Sequence, residues 1–286
     1  LPVAQAAARA WSEIERLYGP AAPSVTERPI VIEAIDPDTT VSPPPLGTVA
    51  QLRWNMSRPM MRQWLLNFVS DGAADPALRN WLGGPLLYDT AAAAHDAPSV
   101  HVELVTQPWG TVRRCFLGDI PACQVALTLG DTTAPLTRRY SVEERRSLVV
   151  DTYQGFFNHG STQGDFHACA AGGDSACVHL LQGLPPGSLL RLLDYRARLS
   201  LVAFALQAGG SGAMGRLLAA PDQTVAARLA MASGLSVDSL TARWLRSIRA
   251  ARPTPVSLPP WGAWLALGWI GVFTTCGLRS SRWRVS

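Results

Sequence analysis

The most regular chemical feature of the sequence is a pair of cysteine windows. Cys115-Phe-Leu-Gly-Asp-Ile-Pro-Ala-Cys123 and Cys169-Ala-Ala-Gly-Gly-Asp-Ser-Ala-Cys177 each enclose seven residues, with Gly followed by Asp inside. Gly suits the left-handed position that ends a helix, Asp suits the N-cap that starts the next, and Pro121 fits a first turn. Each window therefore predicts helix, tight turn, helix, with its two cysteines facing each other within disulfide reach. Free buried thiols and a metal site are the rival readings, the latter because His167 and His179 flank the second pair. The chain has no CxxC, and zinc sites space their cysteines more closely, so two disulfides and an oxidising compartment are expected. Cys276 is left over as a small apolar filler.

Other chemistry is sparse. His159, Asp165 and His167, with Asp151 upstream, form a polar cluster that could ligate a metal or do acid–base work, although loop and cap roles are commoner for such residues. None of the five His has a second His four residues on, so HExxH is absent. His101-Val-Glu103 has the His-x-Glu of zinc deaminases without the Pro-Cys-x-x-Cys that must accompany it, and a solvated strand face is expected instead. Gly210-Ser-Gly-Ala-Met-Gly215 matches GxGxxG, but a helical pattern precedes it and Pro221 follows within two turns, so it reads as a helix–helix turn. No GxSxG and no CxxCH occur, and all 25 basic residues are Arg, which removes lysine Schiff bases and phosphate-loop lysines. The expectation is no catalytic residue, no cofactor and no metal. Arg113-Arg114, Arg138-Arg139 and Arg145-Arg146 could contact anionic lipid or an acidic partner, with exposed ion pairs to Glu143, Glu144 and Asp131 as the simpler expectation.

The elements that must carry these residues follow from periodicity. With 286 residues, 48% apolar and 16% charged, the chain is not a disordered one. Ala7, Trp11, Ile14, Leu17 and Tyr18 predict a helix over residues 2–18 that Gly19-Pro20 stops. Pro29–Ile35, Val49–Trp54 and the alternating Val100–Thr106 predict strands. Met60, Trp64, Leu65 and Phe68 share one face of a helix over Pro59–Val69, and Asp75-Pro76 caps another. Ser141-Val-Glu-Glu144 is a capping box before a long helix to about Phe157. Ser188–Gln207, Val225–Ala232 and Val237–Ala251 are further helices. The reading is α+β, mainly α: a helical-hairpin domain over 1–252, with its β-containing part at about 1–106 and its helical part at about 107–252.

Residues 253–260 form a Pro-rich linker, and 261–278 carry no charge. At about 1.5 Å per residue the latter suggest a single transmembrane helix just short of the usual hydrocarbon thickness. Trp261, Trp264 and Trp269 lie in it, Trp283 lies past it, and Arg279, Arg282 and Arg284 form a basic flank. Gly262 with Ala266 and Gly271 with Thr275 are small pairs that allow close helix approach. The basic tail, 279–286, is expected in the cytoplasm and the rest of the chain in the periplasm of a bacterial inner membrane, as two disulfides require. A formal charge of +4 then reflects the tail rather than a nucleic-acid footprint.

Gly212–Ile248 carries a small-residue turn, a helix, Gly234-Leu-Ser-Val-Asp-Ser-Leu240 and a last helix with Trp244. This stretch, with the apolar Ala197–Leu206 before it, resembles the C-terminal helices of peptidase MA-like, gluzincin-type domains. Active members carry HExxH and a downstream Glu. Without HExxH no catalytic residue transfers, and the resemblance implies a degenerate, non-catalytic scaffold. The functional expectation is a membrane-anchored structural or interaction protein, an accessory subunit whose partners are membrane lipid and other subunits of a complex, with no nucleic acid. A metal-dependent hydrolase using His159, Asp165 and His167 and an envelope ligand sensor are the alternatives.

Overall fold

The computed structural model describes residues 2–23, 31–36, 49–73, 75–84, 86, 90–130, 136–185, 188–189, 191–253 and 260–279. The chain divides into two units, Leu1–Arg252 and Pro253–Ser286. The described residues are mainly helical, 74% helix against 4% strand.

In the first unit, helix α1 (Pro2–Tyr18) buries Ala6, Ala10, Ile14 and Leu17, a three-to-four-residue spacing that makes one apolar stripe. Strands β1 (Val31–Ile35) and β2 (Val49–Arg53) pair in parallel, Val31 opposite Val49 and Ile35 opposite Arg53. Helix α2 (Arg58–Ala73) packs on α1 through Met61, Leu65, Leu66 and Val69, with Trp64 stacked on Phe68 at 5.2 Å. Met60, expected on that buried face, is exposed. Helix α3 (Pro76–Leu82) starts as expected, the Asp75 carboxylate accepting the Leu78 N–H at 2.8 Å.

The two cysteine windows are the hairpins that the spacing predicts. Helices α5 (Gly110–Leu117) and α6 (Ile120–Ala126) follow α4 (Thr90–Thr106) and are joined by Cys115–Cys123, Cα atoms 4.4 Å apart. Gly118 turns the chain at φ 115° and Asp119 caps α6 by accepting the Ala122 N–H. After α7 (Leu136–Arg139), α8 (Val142–Ser147), a π-helical turn over Leu148–Thr152, and α9 (Gln154–Phe157), the second window joins α10 (Gln163–Ala170) to α11 (Asp174–Gln182) through Cys169–Cys177, Cα atoms 4.8 Å apart. Here Gly173 is the N-cap, not Asp174. Asp174 lies one residue inside the helix and holds the buried Arg145, so Arg145 is not a surface charge paired with its own helix.

Helix α12 (Tyr195–Gly209) is the central post of the unit, burying Ala197, Leu201, Val202, Ala205 and Leu206 against its neighbours. Helices α13 (Ala213–Leu218), α14 (Val225–Ser233) and α15 (Val237–Ala250) complete the unit. Trp244 of α15 is fully buried, and its indole N–H donates to Ser200 Oγ on α12 at 2.9 Å. The GxGxxG stretch is the turn between α12 and α13, as expected. Gly215 lies where a Cβ would sit 2.5 Å from the Tyr18 carbonyl oxygen, so its missing side chain lets α13 close onto α1.

Four further sequence expectations change. Val100–Thr106 is the last part of helix α4, not a strand, and His101 and Glu103 do not share a solvated strand face. Val100 and Leu104 are buried while Val102 is exposed, a spacing of four that satisfies both the helical and the alternating period. The helix predicted from Ser188 begins at Tyr195, where the Asp194 side chain accepts the Arg196 N–H at 2.7 Å. The helix after the Ser141 capping box is interrupted by the π-helical turn, although the box itself forms. The fourth correction concerns the C-terminus. The second unit holds one helix, α16 (Pro260–Arg279), yet among the described residues no helix is long and apolar enough to cross a membrane. Gly262, Gly268, Gly271, Gly277, Thr274 and Thr275 add length but little apolar surface, and Trp261, Trp264 and Trp269 carry a polar N–H. The expected α+β protein with a transmembrane helix is therefore a mainly helical chain without a described span. The inner-membrane, single-pass placement with a periplasmic bulk and cytoplasmic tail falls with it. Residues 254–259 of the linker, and Arg282, Trp283 and Arg284, lie outside the described residues.

Candidate functional site

The polar cluster read from the sequence does not assemble as one site. Asp151, in the π-helical turn, is exposed and accepts the Ser147 hydroxyl at 2.6 Å. His159 precedes a short 3-10 turn in extended backbone, exposed to solvent. His167 is exposed and sits edge-on to its neighbour Phe166. Among the described residues only Asp165 of this cluster pairs with another ionisable side chain, and it is His179: Nδ1 lies 2.9 Å from Asp165 Oδ2 across the Cys169–Cys177 hairpin. Both groups are solvent-accessible, which makes the pair a surface contact tying α10 to α11. Among the described residues no group of three or more His, Cys, Asp or Glu is placed to hold a metal ion.

The more perturbed chemistry lies where α4 meets α12. The Asp194 backbone N–H donates to Glu103 Oε1 at 2.9 Å, so the α12 N-cap and a carboxyl of α4 share one small space. Burial and the adjacent Asp194 charge push the Glu103 carboxyl up to about 7, against the opposing pull of Arg198. Arg198, one turn into α12, is fully buried. Its Nη1 donates to the Trp81 carbonyl at 3.0 Å and its guanidinium stands 6.0 Å from the Trp81 ring centre. Desolvation and nearby Arg191 lower Arg198 to about 10, which leaves it protonated at neutral pH. Arg191 reaches the same region, donating to the Asn80 and Trp81 carbonyls. A carboxyl pair over a buried guanidinium makes this corner a proton-sensitive joint between α3, α4 and α12.

A second ionic centre, built on the buried Arg145 and the part-exposed Asp174, braces the staples. Arg145 donates two hydrogen bonds to Asp174, at 2.7 and 2.6 Å, and a third to the Tyr140 carbonyl. The Arg145 guanidinium holds the Asp174 carboxyl below the usual range. The Gly110 N–H donates to Glu144, linking α5 to the capping box that starts α8. These contacts join the two disulfide hairpins through a network invisible to local sequence spacing.

Among the described residues the longest run of exposed large apolar side chains belongs to α16. Trp261, Trp264, Leu265, Leu267, Trp269, Ile270, Val272 and Phe273 are all exposed, Trp264 at 74% and Phe273 at 70%. They occupy successive positions around the helix, so the surface is apolar on every side rather than along one stripe. Comparison with protein families, with curated proteins and with solved structures finds no match.

Proposed function

We propose that this chain is a non-catalytic interaction protein, an accessory subunit of a larger assembly, in which another protein chain covers α16. The observation that carries the proposal is the run of exposed tryptophan and aliphatic side chains on that helix. A helix apolar all round is stable in water only when it is covered. Tryptophans are the side chains that most often anchor protein interfaces, and Gly262 with Ala266 and Gly271 with Thr275 allow a partner helix to approach closely. The first unit supports the same reading. Two disulfides and the pairing of buried Arg145 with part-exposed Asp174 brace a helical body, and disulfides persist where thiols are oxidised, so the chain belongs to an oxidising environment. The resemblance of Gly212–Ile248 to peptidase MA-like helices, without their HExxH, points to a scaffold as well.

Site-specific photo-crosslinking in the native host tests the proposal. Crosslinkers replacing Trp264 and Phe273 are expected to trap one and the same protein, while one replacing Leu117, an exposed apolar residue on α5, traps nothing in common with them. A product formed only with a second copy of this chain, or identical products from all three positions, would overturn the accessory-subunit reading.

A further inference from the structure

The cavity between α1 and α2 is lined by Gln5, Ala6, Arg9, Arg58, Pro59 and Arg62, and its volume is about 140 Å3. Gln5 and Arg9 lie four residues apart on α1, and Arg58 and Arg62 lie four apart on α2. Residues at that spacing share one face of a helix. The packing of α1 on α2 therefore turns two separate pairs toward a single opening.

Three guanidinium groups in one cavity repel one another, and like charges four apart on a helix are unfavourable by themselves. Among the described residues no carboxylate lines the cavity to offset them. Glu13 stands 2.6 Å from Arg16 and 3.8 Å from Arg62. Arg9 and Arg58 form no ion pair or hydrogen bond among the described residues. Arg58 is also the first residue of α2, where the helix dipole adds positive potential. Pro59 keeps that first turn rigid without presenting an N–H. The arrangement concentrates positive charge that Glu13 offsets only at Arg62, and adds a neutral amide donor, Gln5, at its rim.

We propose that this cavity is a binding site for a phosphate-type oxyanion, with Arg9, Arg58 and Arg62 as its charged ligands and Gln5 as a neutral hydrogen-bond donor. Guanidinium forks match the paired oxygens of such a group, and several can share one tetrahedral anion. The volume selects among phosphate carriers. It gives room for one phosphate group among the side chains, and because the cleft is open to solvent the rest of a phosphomonoester would stay outside it. The anion is either free phosphate or the exposed terminal group of a phosphomonoester. The site is independent of the partner surface on α16.

Calorimetric titration of the full chain with inorganic phosphate at low ionic strength tests this. One saturable site is expected, with affinity falling at least tenfold in Arg9→Ala and in Arg58→Ala. Arg58→Lys, which keeps the charge and loses the fork, is expected to weaken it several-fold. Arg113→Ala, which removes an exposed arginine on α5, is expected to change it less than twofold. Raising the salt to about 0.5 M weakens binding, because the contact is electrostatic and open to solvent. Glycerol phosphate titrated in parallel separates the two sources: equal or tighter binding assigns the site to a monoester, and binding tenfold weaker assigns it to the free ion, both upholding the site. Thermal melting of each variant verifies that it is folded. Absence of saturable heat up to 20 mM phosphate (roughly the weak limit of a useful site), or equal losses in Arg113→Ala and Arg58→Ala, would overturn the proposal.

Discussion

Replacing Glu103 by glutamine isolates the energy stored where α4 meets the start of α12. The Glu103 carboxyl is pushed up to about 7 by burial and by the facing Asp194, from an ordinary value of 4.5 that applies in the unfolded chain. Arg198 opposes that push from α12, and Arg191 lies beside Arg198. Below pH 4.5 the carboxyl is protonated in both states and costs nothing. Between there and about 7 the folded state keeps a proton that the unfolded state releases, so stability falls as pH rises, and above about 7 the full cost remains. At about 1.4 kcal/mol per pKa unit the unscreened cost is about 3 kcal/mol. Solvent screening of a half-exposed carboxyl reduces it to about 1–2 kcal/mol. Glu103→Gln removes the charge and keeps an oxygen to accept the Asp194 N–H. Urea unfolding of both proteins at pH 5, 6, 7 and 8 reads the difference, and subtracting one from the other cancels the titration of groups that do not face Glu103. The variant is expected to exceed wild type by less than about 1 kcal/mol at pH 5 and by about 1–2 kcal/mol at pH 8. A variant equal to or less stable than wild type at pH 8, or a difference that does not grow with pH, would refute the reasoning.

Three further outcomes follow from the packing. Removing either disulfide as a Cys→Ala pair, Cys115 with Cys123 or Cys169 with Cys177, costs about 2–3 kcal/mol by loop-closure entropy, read as a lower midpoint in urea. Gly215→Ala puts a Cβ against the Tyr18 carbonyl and is expected to cost about 1–3 kcal/mol, with faster amide exchange along α1 and α13. Arg145→Met leaves the buried Tyr140 carbonyl without its charged donor and is expected to cost about 2 kcal/mol in the same assay, with acid sensitivity reduced because Asp174 loses the partner that lowers its pKa.

Local chemistry was legible in the sequence. The caps at Asp75, Asp119 and Ser141 form because each is decided within four residues, and the two disulfide hairpins because each is decided within a nine-residue window. Val100–Thr106 misled because burial at 100 and 104 fits two periods, and only the intervening exposure of Val102 separates them. The transmembrane reading counted an uncharged stretch without weighing how little apolar surface its Gly and Thr residues supply. Of the polar cluster, Asp165 finds His179 rather than His159 or His167. That pairing had a signal: Asp165 precedes Cys169 by four and His179 follows Cys177 by two, so the disulfide brings the two together. The Glu103–Asp194–Arg198 corner, the Arg145–Asp174 pair and the arginine cavity had none, since each joins helices far apart in the chain.

The central claim is that another protein chain covers α16. Analytical ultracentrifugation of the chain purified gently from its native source measures that directly. The expected result is a single species whose mass exceeds that of the chain by that of a different protein in fixed ratio, and dissociation when Trp264 and Trp269 are both replaced by serine. A monodisperse chain at its own mass, with the double replacement changing nothing, would contradict it.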